Sequence, residues 1–479
     1  MRTGSALFTQ SVLALCLAGC VATAPPVSTP DSVSCRQLYN ELDAVTDRCG
    51  VRDQGSAPVS GFPYLRSNRF LASFAKQLKD AQFETWVRQL AVLDTESRAF
   101  ERNNLPATEH AALTDPEALQ RCSTQLLAED LAHADRRQTL RRAAQVPDDY
   151  LPAWRAAGLY PVSALFVKRG IASWHREAHA TFAMPLQSLP VHGQLQRWSA
   201  RSAAVLTAGE VRQLINASRD TLDIPQPRGA TLQRLFDSFA PSWEVDVVSD
   251  DDRIGAAGLV DGVRVDTGSP VEYRLVSQTR YAGRVLLQLN YVVWFPARSG
   301  NDRYAGRLDG LTWRVTLGPD GVPIMYDTIH NCGCFLQFFP APQLRLRTDA
   351  AGIYRETPLV PQHTPAQPLV IRLSHATHFI ERVYIDDAAQ PVQAIASRDY
   401  NDLRSLADGS GHHSLFGVHG IVAGSERGER FLLWPMGIRS PGAMRQWGHH
   451  PVAFVGRRHF DDPDLIGQLF ETVETNARY

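Results

Sequence analysis

Val271-Glu-Tyr-Arg-Leu-Val-Ser-Gln-Thr-Arg-Tyr281-Ala282-Gly283-Arg284-Val-Leu-Leu-Gln-Leu-Asn-Tyr-Val-Val-Trp-Phe295 is the stretch that decides the fold class. Two runs rich in β-branched and aromatic residues flank a two-residue turn at Ala282-Gly283. That is the pattern of a long antiparallel hairpin. Strand character begins upstream at about Trp243, where Glu244-Val-Asp-Val-Val alternates. Downstream, Leu311–Leu317 reads as a strand, and Gly318-Pro-Asp-Gly321 is a tight turn leading into Val322–Tyr326. Leu369–Leu373, Phe379–Ile385 and Phe431–Trp434 are further expected strands.

Upstream of this region the period changes from two to 3.6. Phe70, Leu71, Phe74 and Leu78 recur at helical spacing, and Phe83, Trp86, Val87 and Leu90 continue it. Leu119 to Ala144 is a second helical stretch. Thr207-Ala-Gly-Glu210 is a capping box ahead of Val211, Leu214 and Ile215, and Leu232, Leu235, Phe236 and Phe239 make another apolar stripe. Helices followed by strands predict an α+β fold. The expected division is a mainly helical half, residues 34–240, then an antiparallel β-rich half, residues 241–479, with a loop-rich C-terminal part.

Composition narrows the function classes. Forty-nine Lys and Arg oppose 50 Asp and Glu in 479 residues, a net charge of −1, so bulk charge implies no nucleic-acid partner. Beyond the N-terminal leader no stretch is long and apolar enough to span a bilayer.

The N-terminus itself carries an address. Arg2 is followed by a mostly apolar stretch, Ala6 to Leu17, and then Leu17-Ala18-Gly19-Cys20. This resembles the signal peptide and lipobox of bacterial lipoproteins. The resemblance implies that residues 1–19 are removed, and that Cys20 carries a diacylglycerol which anchors the protein in a membrane. Residues 20–33, with Pro25, Pro26 and Pro30, are expected to be an extended tether. Val21 stands where Asp would imply inner-membrane retention, so in a Gram-negative cell the expected place is the outer membrane, facing the periplasm.

Five cysteines then remain: Cys35, Cys49, Cys122, Cys332 and Cys334. An oxidising compartment permits disulfides. Cys35 with Cys49 is the first expectation, and Cys122 with either of them is the alternative. An odd count leaves at least one thiol over.

The densest chemistry is His330-Asn-Cys332-Gly-Cys334. On a continuing strand, period-two alternation would put His330, Cys332 and Cys334 on one face, a nitrogen and sulfur donor set suited to zinc or copper. Further ligands are offered by His375, His378, His412, His413, His419, His449, His450 and His459. Other readings stay open: an oxidised cysteine pair, two thiols packed as small apolar groups, or a thiolate nucleophile with a histidine base.

Three weaker signals complete the reading. His175 and His179 share a helix face, but Arg176 stands where a zinc-protease helix needs Glu. The Arg- and Trp-rich stretch Arg427–His450 suits an anionic or sugar ligand, or else a wrap of loops paired with Asp461, Asp462 and Asp464. Asp250-Asp-Asp252 lacks the spacing of a calcium loop. Two functions follow as expectations. One is a lipid-anchored periplasmic protein with a transition-metal site at His330, Cys332 and Cys334. The other is a non-catalytic envelope lipoprotein, stapled by disulfides, that binds an envelope protein or glycan.

Overall fold

The hairpin forms where the sequence places it. In a computed structural model, Val271–Tyr281 and Arg284–Arg298 pair antiparallel, and Ala282 (φ 49°) and Gly283 (φ 74°) take the left-handed conformation of a two-residue turn. The structure describes residues 30–109, 115–200, 205–364, 367–386 and 391–473. The expected leader, Cys20 and the tether up to residue 29 lie outside the described residues. The first helix, Pro30–Cys49, begins within the segment expected as tether.

The hairpin continues as an antiparallel meander through Gly306–Leu317, Pro323–His330 and Gln337–Pro340. Ala396–Asp399 joins the other edge in parallel, completing six strands. A second sheet has five strands, ordered Ile380–Ile385, Leu369–Leu373, Ser242–Val247, Gln194–Ser199 and Gln393–Ala394. Leu369–Leu373 runs parallel to Ser242–Val247, so both sheets are mixed rather than purely antiparallel. The fold is α+β, with helices mostly in the first half and the large sheets in the second.

The strand Arg284–Arg298 explains its own composition. Leu287, Leu289, Tyr291, Val293 and Phe295 face a core shared with Trp243, Val245 and Ile371 of the second sheet. Val292 and Trp294 enter a second apolar cluster and Leu286 a third. A strand buried on both faces reads as a near-continuous apolar run. Gln288 and Asn290 interrupt that run: Gln288 bonds Ser277 and Thr316 across the strands, and the Asn290 amide N–H groups donate to the Leu275 carbonyl and the Ser277 hydroxyl.

The change from helix to strand near residue 241 is not a break in packing. Gln194–Ser199 precedes it and pairs with Ser242–Val247. The helices Ala208–Ala217 and Gly229–Phe239 also bury Val211, Ile215, Leu235 and Phe236 in the inter-sheet core. The Thr207–Glu210 capping box is formed in both directions. The earlier helices surround a separate core of Leu42, Trp86, Leu90 and Leu126. Beside it lies a buried ion network in which Arg66 reaches Glu101 at 2.7 Å and Asp94 at 3.2 Å. C-terminal segments close over this half, with Arg404 on Asp53 at 2.7 Å and Arg69 on Asp461 at 3.3 Å.

Two expectations are corrected. Phe431–Trp434 is not a strand: Arg430–Leu433 is a short helix, continued by Trp434–Met436. A four-residue apolar run carries no period that separates the two states. The disulfide joins Cys35 to Cys122, and Cys49 is free. Cys35 and Cys49 lie on one helix, and 14 residues of helix span about 21 Å, beyond the roughly 7 Å over which cysteines can be bridged.

Opening the Cys35–Cys122 bridge, with a sequence separation of 87, should cost about 4–5 kcal/mol by loop-closure entropy. Thermal melts should show a large loss for Cys35→Ser and none for Cys49→Ser. Equal losses would contradict the pairing.

Candidate metal centre

A turn of six residues, Ser374 to Phe379, links the strands Leu369–Leu373 and Ile380–Ile385 and carries two histidines pointing to different places. The Ser374 N–H donates to the Phe379 carbonyl at 3.0 Å, and the Ser374 hydroxyl accepts from the Phe379 N–H at 3.1 Å. Ala376 (φ 57°) and His378 (φ 50°) are both left-handed. The Asp252 carboxylate holds the turn by accepting the Ala376 N–H at 2.6 Å. Asp252 is itself fixed by the N–H groups of Val248 and Ser249, at 3.0 and 2.9 Å. Of the acidic run, Asp252 therefore serves the turn.

Outward from the turn, His375 meets Asp246 and His192. His375 Nδ1 and His192 Nδ1 stand 3.7 and 3.4 Å from the same Asp246 oxygen, Oδ2, and the two rings lie 4.3 Å apart. Donors held about 2.0–2.2 Å from a tetrahedral ion stand roughly 3.4 Å from one another, so this spacing fits a metal. The three residues are the one group among the described residues whose His, Cys, Asp or Glu donor atoms all lie within 4.8 Å of each other. Local structure explains their convergence. Alternation along Ser242–Val247 turns Trp243 and Val245 into the core and leaves Asp246 on the other face. Asp246 then orders the incoming loop by accepting the N–H groups of His192 and Gly193, at 2.8 and 2.9 Å. A side chain at Gly193 would collide with the Val247 carbonyl, so the loop approaches this closely because residue 193 is glycine. Glu381 lies nearby, held by Arg372 at 3.3 Å. Burial, with the charge of Asp246 adding to it, raises the Glu381 carboxyl above the ordinary carboxylate range despite that arginine.

Inward from the turn, His378 enters a buried relay. Its Nδ1 is 2.8 Å from Asp309 Oδ2, and its Nε2 is 3.6 Å from Asp252 Oδ1. Its ring stacks on Phe295 at 3.9 Å. Asp309 Oδ1 is 3.3 Å from His330 Nδ1 and 3.7 Å from the Arg427 guanidinium. Asp309 and His378 are 1% and 0% exposed. Burial alone would raise Asp309, but the His330 and His378 imidazoles override it and hold the carboxyl well below the usual range. Burial alone would lower His378, but Asp252 and Asp309 together raise it. At His330 burial wins over Asp309, and its pKa is lowered. The relay therefore favours the charged form at His378 and disfavours it at His330. Ten non-glycine residues among those described have positive φ. Four of them, Leu308, Phe335, Ala376 and His378, flank or belong to this relay. Such strain gathers at functional sites.

His330 is thus part of the site, but not as a ligand beside the two cysteines. The strand ends at His330, and Asn331–Cys334 turn back, with the Gly333 N–H on the His330 carbonyl at 2.7 Å and Gly333 at φ 88°. The turn cancels the alternation that would have aligned His330, Cys332 and Cys334. Both thiols are buried in an apolar cluster with Trp294, Leu308 and Met444. The Cys332 thiol beside it and burial push Cys334 well above the ordinary thiol range, which disfavours a thiolate. Their surroundings fit the reading as small packed groups.

The remaining candidates separate. His175 and His179 stay on the helix Tyr160–Ala183, and burial lowers His175 to about 4. In the Arg- and Trp-rich stretch, Arg427 bonds the backbone carbonyls of Tyr304, Gly306 and Leu308. His459 contacts Asp148 and Asp462, and His449 contacts Asp149 at 3.0 Å. His413 pairs with Asp408 at 3.2 Å. Nothing local in the sequence pointed to His192 or Asp246, because the three donors come from segments 54 and 129 residues apart. The available signal was a His-Gly pair just before a strand.

Asp309→Asn removes the charge on which His330, His378 and Arg427 converge, and should destabilise the protein by about 3–5 kcal/mol near neutral pH. A carboxyl depressed by folding contributes fully above its unfolded pKa and loses that contribution as pH falls through the folded value. The gap between wild type and variant in urea titrations should therefore narrow below about pH 4. A gap independent of pH would contradict the relay.

No protein-family model, no curated protein and no solved structure matches this chain significantly.

Proposed function

We propose that this chain is an exported, lipid-anchored envelope protein that binds a divalent transition metal, zinc or copper, through His192, Asp246 and His375. The observation that carries this reading is the meeting of two imidazoles on one oxygen of Asp246 at 3.4 and 3.7 Å. Imidazole and carboxylate donors suit zinc and copper. Three protein donors leave a fourth position for water or an outside ligand, as sites that do chemistry or sense a ligand require. Asp252 supports the centre by holding the turn through the Ala376 N–H.

Export and anchoring rest on the Leu17-Ala-Gly-Cys20 segment, which resembles a lipobox. The Cys35–Cys122 bridge is consistent with an oxidising compartment. For a Gram-negative source, Val21 favours the periplasmic face of the outer membrane.

Calorimetric titration of the mature chain with zinc and with copper tests the metal reading. One ion should bind per chain. His192→Ala and His375→Ala should each abolish binding, and Asp252→Asn should weaken it about 10–100-fold. Cys332→Ser with Cys334→Ser should leave it unchanged. Loss of binding in the cysteine variant alone would move the metal to the thiols. The absence of any binding would leave a metal-free envelope protein.

A further inference from the structure

The helix Tyr160–Ala183 has 24 residues, and the only ones it buries are Ala164 and Phe182. Leu159, just before it, is 69% exposed, and Phe166 is 66% exposed. The helix continues a larger face. The preceding helix, Pro152–Ala157, packs on Trp434–Met436, with the Leu151 N–H on the Gly437 carbonyl at 2.7 Å and Arg155 Nε on the Met436 carbonyl at 2.8 Å. A side chain at Gly158 would collide with Pro435. Phe431, 70% exposed, and Leu432 belong to the adjoining helical turn. Tyr354 joins from a third segment through its hydroxyl, which donates to the Pro161 carbonyl at 3.3 Å. Large exposed apolar side chains are thus brought together from three segments, and contiguous exposed apolar surface marks interaction sites.

The charge on this face has one sign. Residues 151–169 contain Arg155, Lys168 and Arg169 and no acidic residue, and residues 430–434 contain Arg430 and no acidic residue. Together with the uncharged Ile353 and Tyr354 these segments carry +4 in a chain of net −1. A symmetric self-interface must complement itself, and a face with cations only would meet cations. An anionic lipid surface matches both properties: aromatic and aliphatic side chains enter the headgroup boundary while lysine and arginine meet lipid phosphates.

We infer that this face, built from residues 151–169, 353–354 and 430–434, docks the folded protein on an anionic bilayer surface, independently of any lipid on Cys20. It would fix the orientation of the protein on the membrane, which a lipid on Cys20 alone would not do.

The test uses residues 20–479 with Cys20→Ser, so that no lipid is attached. Co-sedimentation is measured with vesicles of phosphatidylcholine alone and of phosphatidylcholine with phosphatidylglycerol, together with tryptophan emission from Trp154 and Trp434. Binding should require phosphatidylglycerol, weaken with salt and shift the emission to the blue. Lys168→Glu with Arg169→Glu should weaken it at least about tenfold, at roughly 1 kcal/mol per cation. Phe166→Ser with Phe431→Ser should do so to a similar degree. Absence of vesicle binding, or binding that neither pair of substitutions alters, overturns the proposal. A dimer broken by the same substitutions, with no vesicle binding, would overturn it in favour of a second copy of the chain.

Discussion

Asp309 cannot stay charged inside the protein without partners, and much of the β-rich half is arranged around supplying them. A carboxylate removed from water carries a desolvation cost of several kcal/mol unless charges and hydrogen bonds surround it. Here His330 arrives from the end of one strand, His378 from the turn of the second sheet, and Arg427 from a C-terminal loop. Those three contacts join the two sheets and the C-terminal wrap at one point. They also explain why His330 ends its strand where it does: its ring is committed to Asp309, and the chain turns back directly after it.

The same constraint shapes the surface above. His378 reaches Asp309 from a turn with two left-handed residues, and Asp252 holds that turn in place. The geometry that sends His378 inward sends His375 outward, to Asp246 and His192. A rigid, strained turn is a suitable mount for a ligand, because donor atoms must be held in place before the ion arrives if affinity is not to be lost in ordering them. The buried relay and the surface centre are in this view two sides of one piece of backbone.

The fold was legible wherever a residue pattern answered to a single physical cause. The hairpin, the Thr207 capping box and Leu369–Leu373 were readable because turn chemistry, capping and apolar runs act over short distances. Gln194–Ser199 was missed, since an isolated strand among helices shows its role only through its partner, Ser242–Val247. The site was legible in part. His330 stood out but belongs to the buried relay rather than to the proposed centre, and His375 was among the possible ligands. But Cys332 and Cys334 drew attention by their chemistry, while the turn at Gly333 decided their position. His192 and Asp246 left no local trace, because tertiary structure alone makes them neighbours.

X-ray absorption spectroscopy of the zinc-loaded mature chain separates the alternatives most directly. The account requires a first shell of nitrogen and oxygen, with imidazole scattering from two histidines and no sulfur. A sulfur shell at about 2.3 Å would contradict it and return the metal to Cys332 and Cys334.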